Sequence, residues 1–181
     1  MDRREISFAQ AEGTEPLPSQ LRAKEVSSEL RAKLWRIIYL ALENSNKHIQ
    51  RVGFCITAPW SEILRDWHVD RLHGAYDDFS PLFRDIVPRI KAIVFSESYI
   101  YVFDIIQFII RHHKVPASFV RAIDGALETS RAAYRVIDNT IMPISEPEEV
   151  DAIRRDLQTV RGSKLKGAYT HLQAAGGHLS G

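Results

Sequence analysis

From residue 28 onward, apolar side chains recur at intervals of three and four, the spacing that lines one face of an α-helix. Leu30, Leu34, Ile37, Ile38, Ala41 and Leu42 predict a helix running to about Asn44, with Ser27 as its capping hydroxyl. Trp60, Ile63, Leu64 and Trp67 predict a short second helix begun at Pro59. A third is expected over residues 81 to 95, with Ser80 as cap and Pro81 at its first position; Pro88 should bend it or split it in two. Residues 98 to 112 are apolar on nearly every side, with Asp104, Gln107 and Arg111 forming one narrow polar stripe, so this helix is expected near the centre of a bundle. Pro116 and Ser118 open another, with Phe119, Ala122, Ile123, Ala126 and Leu127 facing inward. Residues 68 to 80, HVDRLHGAYDDFS, read as a connecting loop or broken turn.

The helical period breaks at YRVIDNTIMPI, residues 134 to 144. Two short runs flank Asp138-Asn139, residue types that tolerate left-handed backbone, and this predicts a β-hairpin turned at that pair. Ser145 and Glu148 then form a capping box before a helix with Val150, Ile153, Leu157 and Val160 on its buried side. Beyond 163, Leu165, Tyr169, Leu172 and Leu179 keep a helical period that Gly167, Gly176 and Gly177 weaken. Gly13, Pro16 and Pro18 oppose a helix near the N-terminus, where residues 21 to 26 offer a short strand. The expected class is mainly α: a helical bundle with one small β-hairpin and, as an option, a third short strand from the N-terminal segment.

Composition narrows the function without naming it. The chain has 181 residues, enough for one domain or one domain and part of another, and 24 basic against 23 acidic side chains leave +1. No global field steers it toward nucleic acid or anionic lipid, although a local basic patch is compatible with that balance. The single cysteine, Cys55, excludes an internal disulfide and, set between Phe54 and Ile56, reads as a small buried hydrophobe. The N-terminus lacks the apolar core of a secretory signal. The longest apolar run, residues 99 to 110, is shorter than the roughly 20 residues a membrane span needs. A soluble, cytoplasmic protein without a membrane partner is expected.

Candidate chemistry is sparse. His68, Asp70, His73, Asp77 and Asp78 cluster between residues 68 and 78, but without a metal-ligand spacing, and a solvated polar loop is the favoured reading. His112 and His113 end an apolar helix, where a cation complements the macrodipole. His171 and His178 lie about two turns apart, too far to share one ion unaided. Asp104 stands out as a carboxylate within an apolar helix; burial would raise its pKa unless a cation such as Arg111 or an arginine from elsewhere paired with it. Arg154, Arg155, Arg161, Lys164 and Lys166 form the densest basic cluster and are candidate RNA contacts, but Asp151 and Asp156 are interleaved, as on a solvated helix face. Phosphate-loop and H-E-x-x-H patterns do not occur, and no cofactor is implied.

Three blocks carry a family resemblance: FAQAEGTEPLPSQLRAKEVSSELRAKLW, YIYVFDIIQFII and AAYRVIDNTIMPISEPEEVDAI. Together, through Phe8, Glu12, Gly13, Pro16, Leu17, Pro18, Leu21, Glu29, Leu30, Arg31, Leu34, Trp35, Asp104, Tyr134, Arg135, Pro143, Ile144 and Glu149, they resemble the N-terminal domain of AbiJ-like abortive-infection proteins of bacteria. The resemblance covers about residues 6 to 160. It implies a helical domain at 1 to 160, with 161 to 181 as the start of a cut-short C-terminal helical segment. Such domains usually precede a HEPN domain, often an RNase whose arginine and histidine stand five to seven positions apart on a helix. No such pair occurs here, since Arg161 and His171 are further apart, so the resemblance brings no catalytic residues onto this chain.

Three function classes follow. The leading expectation is a non-catalytic sensor or regulatory domain of a phage-defence protein, meeting a downstream HEPN domain or another copy of itself, with Asp104, Arg111, Tyr134, Asp138, Asn139 and Pro143 as packing residues. The second is an RNA-binding module that uses the basic cluster to present substrate to the RNase. The third is a stand-alone hydrolase with its site at residues 68 to 78.

Overall fold

The computed structural model describes residues 24–144 and, apart from them, Arg155. The chain divides into two compact units, Met1–Pro143 and Ile144–Gly181, and the elements below belong to the first.

Helix α1, Ser28–Asn44, begins as its sequence dictates: the Ser27 hydroxyl accepts from the Leu30 N–H at 3.1 Å, and Leu30, Leu34, Ile38 and Leu42 are buried along one stripe. Arg31 projects from the other side of the first turn. Its guanidinium donates to the Val94 and Glu97 carbonyls at the end of a later helix, placing a cation at the negative end of that helix dipole.

After α1 the chain makes a hairpin that the hydrophobic pattern did not announce. Strand β1, Asn46–Ile49, pairs antiparallel with β2, Gly53–Ile56, with His48 opposite Phe54 and Lys47 opposite Cys55. The Val52 N–H donates to the Ile49 carbonyl across the turn, and Arg51 and Gly53 take positive φ of 69° and 106°. The expected single hairpin is therefore one of two. Cys55 is buried, as its neighbours implied.

Helix α2, Trp60–Asp70, buries Trp60, Ile63, Leu64, Trp67 and His68. It extends two residues beyond His68, so the loop expected from residue 68 starts only after Asp70. A 3-10 turn at Tyr76–Asp78 follows. Helix α3, Phe83–Ser96, runs unsplit through Pro88. Pro88 is its sixth residue and removes only the bond to the Arg84 carbonyl, while Ile86, Ile90 and Val94 anchor both sides of it in the core.

Helix α4, Tyr99–Arg111, buries Val102, Phe103, Ile105, Ile106, Ile109 and Ile110, but Ile100 and Tyr101 are exposed. It is therefore central along most of its length and open to solvent at its start. Helix α5, Ala117–Thr129, buries Phe119, Ile123, Ala126 and Leu127; Ala122, expected inside, is exposed. Helix α1 packs on α3 and α5, and α4 on α2 and α3. The second hairpin, β3 Tyr134–Ile137 and β4 Thr140–Pro143, lies against α4 and α5. The fold is mainly α with two small β elements. No strand forms over 24–26; residues 21 to 23 of that expected strand, and the capping box at 145, lie outside the described residues. No described helix is long and apolar enough to cross a membrane.

Candidate functional site

The β3–β4 hairpin carries the most elaborate polar geometry among the described residues. Asp138 and Asn139 both adopt left-handed backbone, φ 52° and 55°, giving the tight turn that their residue types predict. Val136 and Ile141 face each other across the ladder, and each turns its N–H outward. The Ile141 N–H donates to Gln107 Oε1 at 2.6 Å, while Gln107 Nε2 donates to the Asn139 carbonyl at 3.0 Å. On the opposite edge the Val136 N–H donates to Asp124 Oδ1 at 2.9 Å. A primary amide on α4 and a carboxylate on α5 thus stand where neighbouring strands would be. Such cover satisfies edge donors that would otherwise recruit another chain.

The remaining hairpin contacts reinforce this seat. Arg111 Nη2 donates to Thr140 Oγ1 at 3.0 Å, and Arg135 Nη1 donates to the Ala132 and Tyr134 carbonyls at 2.9 and 2.8 Å. Tyr134 stacks obliquely on Phe103 with centroids 4.6 Å apart, and its hydroxyl oxygen accepts from the Lys24 N–H at 2.8 Å. Pro143 faces Tyr134 in the register, at a pair that exchanges no ladder bonds, so its missing N–H costs the sheet nothing. Of the expected packing residues, Arg111, Tyr134, Asp138, Asn139 and Pro143 all meet here.

Asp104 does not. Its side chain is 44% exposed, and its cation is Arg71, 3.9 Å away and itself 47% exposed, rather than Arg111. A long pair in solvent contributes at most about 1 kcal/mol. Asp104 borders a hollow with Trp67, Leu72, Ile93 and Tyr101 but stays half-open to solvent, because it falls on the exposed side that begins at Ile100 and Tyr101.

Of the residues from 68 to 78, His68 and Asp78 border a common cavity. The His68 ring is buried, with Nε2 donating to the Ala75 carbonyl at 3.1 Å. Gly74 passes so close that a Cβ there would sit 2.2 Å from the ring, so His68 is packed rather than presented. The cavity beside it, bordered by Trp67, Asp78, Phe79, Ser80, Asp85 and Arg89, holds about 90 Å3, about three water volumes. Among the described residues no three His, Cys, Asp or Glu side chains group as metal ligands.

His112 is a capping residue, closing α4, but it also has a partner that sequence spacing did not reveal. Its Nδ1 accepts from the Lys114 N–H at 3.2 Å, which leaves the proton on Nε2, donated to Asp66 at 3.0 Å. One turn earlier on α2, Glu62 takes Lys114 Nζ at 2.6 Å, and this hydrogen bond holds the Glu62 carboxyl below its usual range. Glu62 and Asp66 are spaced four apart on one face, a visible signal; the partners 46 and 52 residues away were not. Of the candidate RNA contacts, Arg155 is helical and exposed, and Arg154, Arg161, Lys164 and Lys166 lie outside the described residues, as do His171 and His178.

No curated protein and no solved structure is significantly similar to this chain. Residues 7–159 match the family described as AbiJ N-terminal domain 4, which spans most of the chain and includes both the α4 stripe and the hairpin it holds. The chain therefore belongs to the AbiJ N-terminal domain 4 family, and that membership sets it in an abortive-infection context.

Proposed function

We propose that this chain is a non-catalytic regulatory domain of a bacterial phage-defence protein that acts through protein contacts, with the β3–β4 hairpin as its output element. The observation that carries the reading is the two-edged seat of that hairpin, held by Gln107 from α4 and Asp124 from α5. A hairpin of two four-residue strands is at best marginal alone in water, so its position is set by the helices that hold it. Any event that shifts α4 against α5 must move the hairpin or break one of those bonds. The chain leaves β4 at Pro143 directly into the second unit, so such a shift reaches whatever follows.

The test is made in a full-length relative that carries an effector domain. Replacing the residues equivalent to 134–143 by a Gly/Ser linker of equal length removes the rigid element and leaves the effector's own residues intact. Cell toxicity on induction, or protection under phage challenge, is expected to change. Toxicity and protection equal to the parent protein would remove the relay.

A further inference from the structure

Helix α4 starts open to solvent, and the opening has a shape. The end of α2, the end of α3 and the first two turns of α4 border a hollow of about 310 Å3, a volume in the range of small-molecule sites. Its walls are apolar: Trp67 and Ile105 are buried, Ile93 is half-buried, and Leu72 and Tyr101 stand at 40% and 60% exposure. Three charged side chains, Arg71, Glu97 and Asp104, border the same space. Arg71 and Asp104 are 3.9 Å apart, beyond hydrogen-bond reach, and the guanidinium otherwise only overlies the Phe108 ring at 5.9 Å. The Glu97 carboxylate has no ion pair or hydrogen bond among the described residues. All three keep their hydrogen-bonding capacity unspent at the edge of an apolar hollow.

These charges select the occupant. Arg31 reaches the Glu97 carbonyl at 2.9 Å, so two cations stand against two carboxylates, with no net charge to draw in a lone anion or cation. Two carboxylates repel a phosphate, and among the described residues no three ligating side chains group for a metal. The hollow instead sets donors and acceptors side by side, and a matching ligand carries an acceptor and a donor equally close together. An α-amino acid holds both on one carbon, whereas each end of a polypeptide has only one of them. We infer that this hollow binds a free α-amino acid with an apolar side chain. Arg71 donates to its carboxylate, Asp104 and Glu97 accept from its ammonium, and the side chain lies against Leu72, Ile93 and Trp67. This site stands whether or not the β3–β4 hairpin relays a signal.

Trp67 supplies the readout, because its buried indole N–H has no hydrogen-bond partner among the described residues and its NMR signal responds to what fills the adjoining space. The isotope-labelled chain is titrated with L-phenylalanine, with N-acetyl-L-phenylalanine, which lacks the ammonium, and with L-phenylalaninamide, which lacks the carboxylate. Trp67→Phe assigns the signal. L-Phenylalanine should shift it saturably, half-maximal below about 1 mM, and each analogue should bind at least about tenfold more weakly. Arg71→Met should weaken L-phenylalanine at least tenfold yet leave the amide no weaker. Asp104→Asn should weaken L-phenylalanine likewise and leave the N-acetyl compound no weaker. Both side chains are half-open to solvent, so neither replacement disturbs the core. No saturable shift up to about 10 mM, equal binding of the three compounds, or unchanged affinity in Arg71→Met would overturn the assignment.

Discussion

Asn139 shows how much of this fold rests on single backbone choices. At φ 55° it occupies a conformation that costs most L-residues about 1–2 kcal/mol, while its carbonyl is fixed by Gln107. Asn139→Val should therefore lower unfolding stability by roughly 1–2 kcal/mol, and Asn139→Gly should leave it within about 0.5 kcal/mol or raise it. Urea titration of both variants measures the difference; equal stability would mean that the turn is not left-handed. Gly74 is constrained for another reason, the nearness of the His68 ring rather than dihedral angle. Gly74→Ala should cost about 1–3 kcal/mol, as overpacking does. In a His68→Ala background the same change should cost much less, because the ring it would strike is gone. A double-mutant cycle with no coupling would contradict the packing described.

At the scale of elements, polar ties decide how the helices meet. Arg31 joins α1 to the end of α3, and the Glu62–Lys114 and His112–Asp66 pairs join α2 to the turn after α4. The lowered Glu62 pKa gives the first of those α2 pairs a defined pH window. A depressed carboxylate stabilises the fold above its ordinary value, 4.5, and that contribution is lost as pH falls through the lower folded value. Lys114→Met should raise the Glu62 pKa toward its ordinary value, as followed by NMR titration of the side-chain carboxyl; an unmoved midpoint would mean that Lys114 is not its partner. The helices themselves were legible because Leu30, Leu34, Ile38 and Leu42, or Trp60, Ile63, Leu64 and Trp67, repeat at helical spacing. The first hairpin was not. Its strands have four residues each, Asn46, Lys47 and His48 give no apolar alternation, and of the two positive-φ positions at its turn one is held by Arg51 instead of Gly, Asn or Asp, leaving Gly53 as a lone signal. The second hairpin announced itself through Asp138-Asn139.

Across the whole molecule, sequence reasoning recovered the class of fold and the family, because both rest on buried periodic residues and on scaffold blocks. The assembled site was hidden by distance along the chain. Gln107 and Ile141 are 34 residues apart, and nothing in an isolated glutamine says that its amide will stand in for a strand. The polar stripe of α4 was visible, but its sequence suggests a buried salt bridge or hydrogen-bonded partner at Asp104, whereas Gln107 and Arg111 meet a hairpin. The account's central claim is that this hairpin is held rigid from both sides, and amide hydrogen exchange tests it residue by residue. The Val136 and Ile141 amides should exchange as slowly as those of the buried helices, and Gln107→Ala should speed Ile141 while leaving Val136 protected. Rapid exchange at both amides in the unaltered protein, at the rate of an exposed loop, would contradict it.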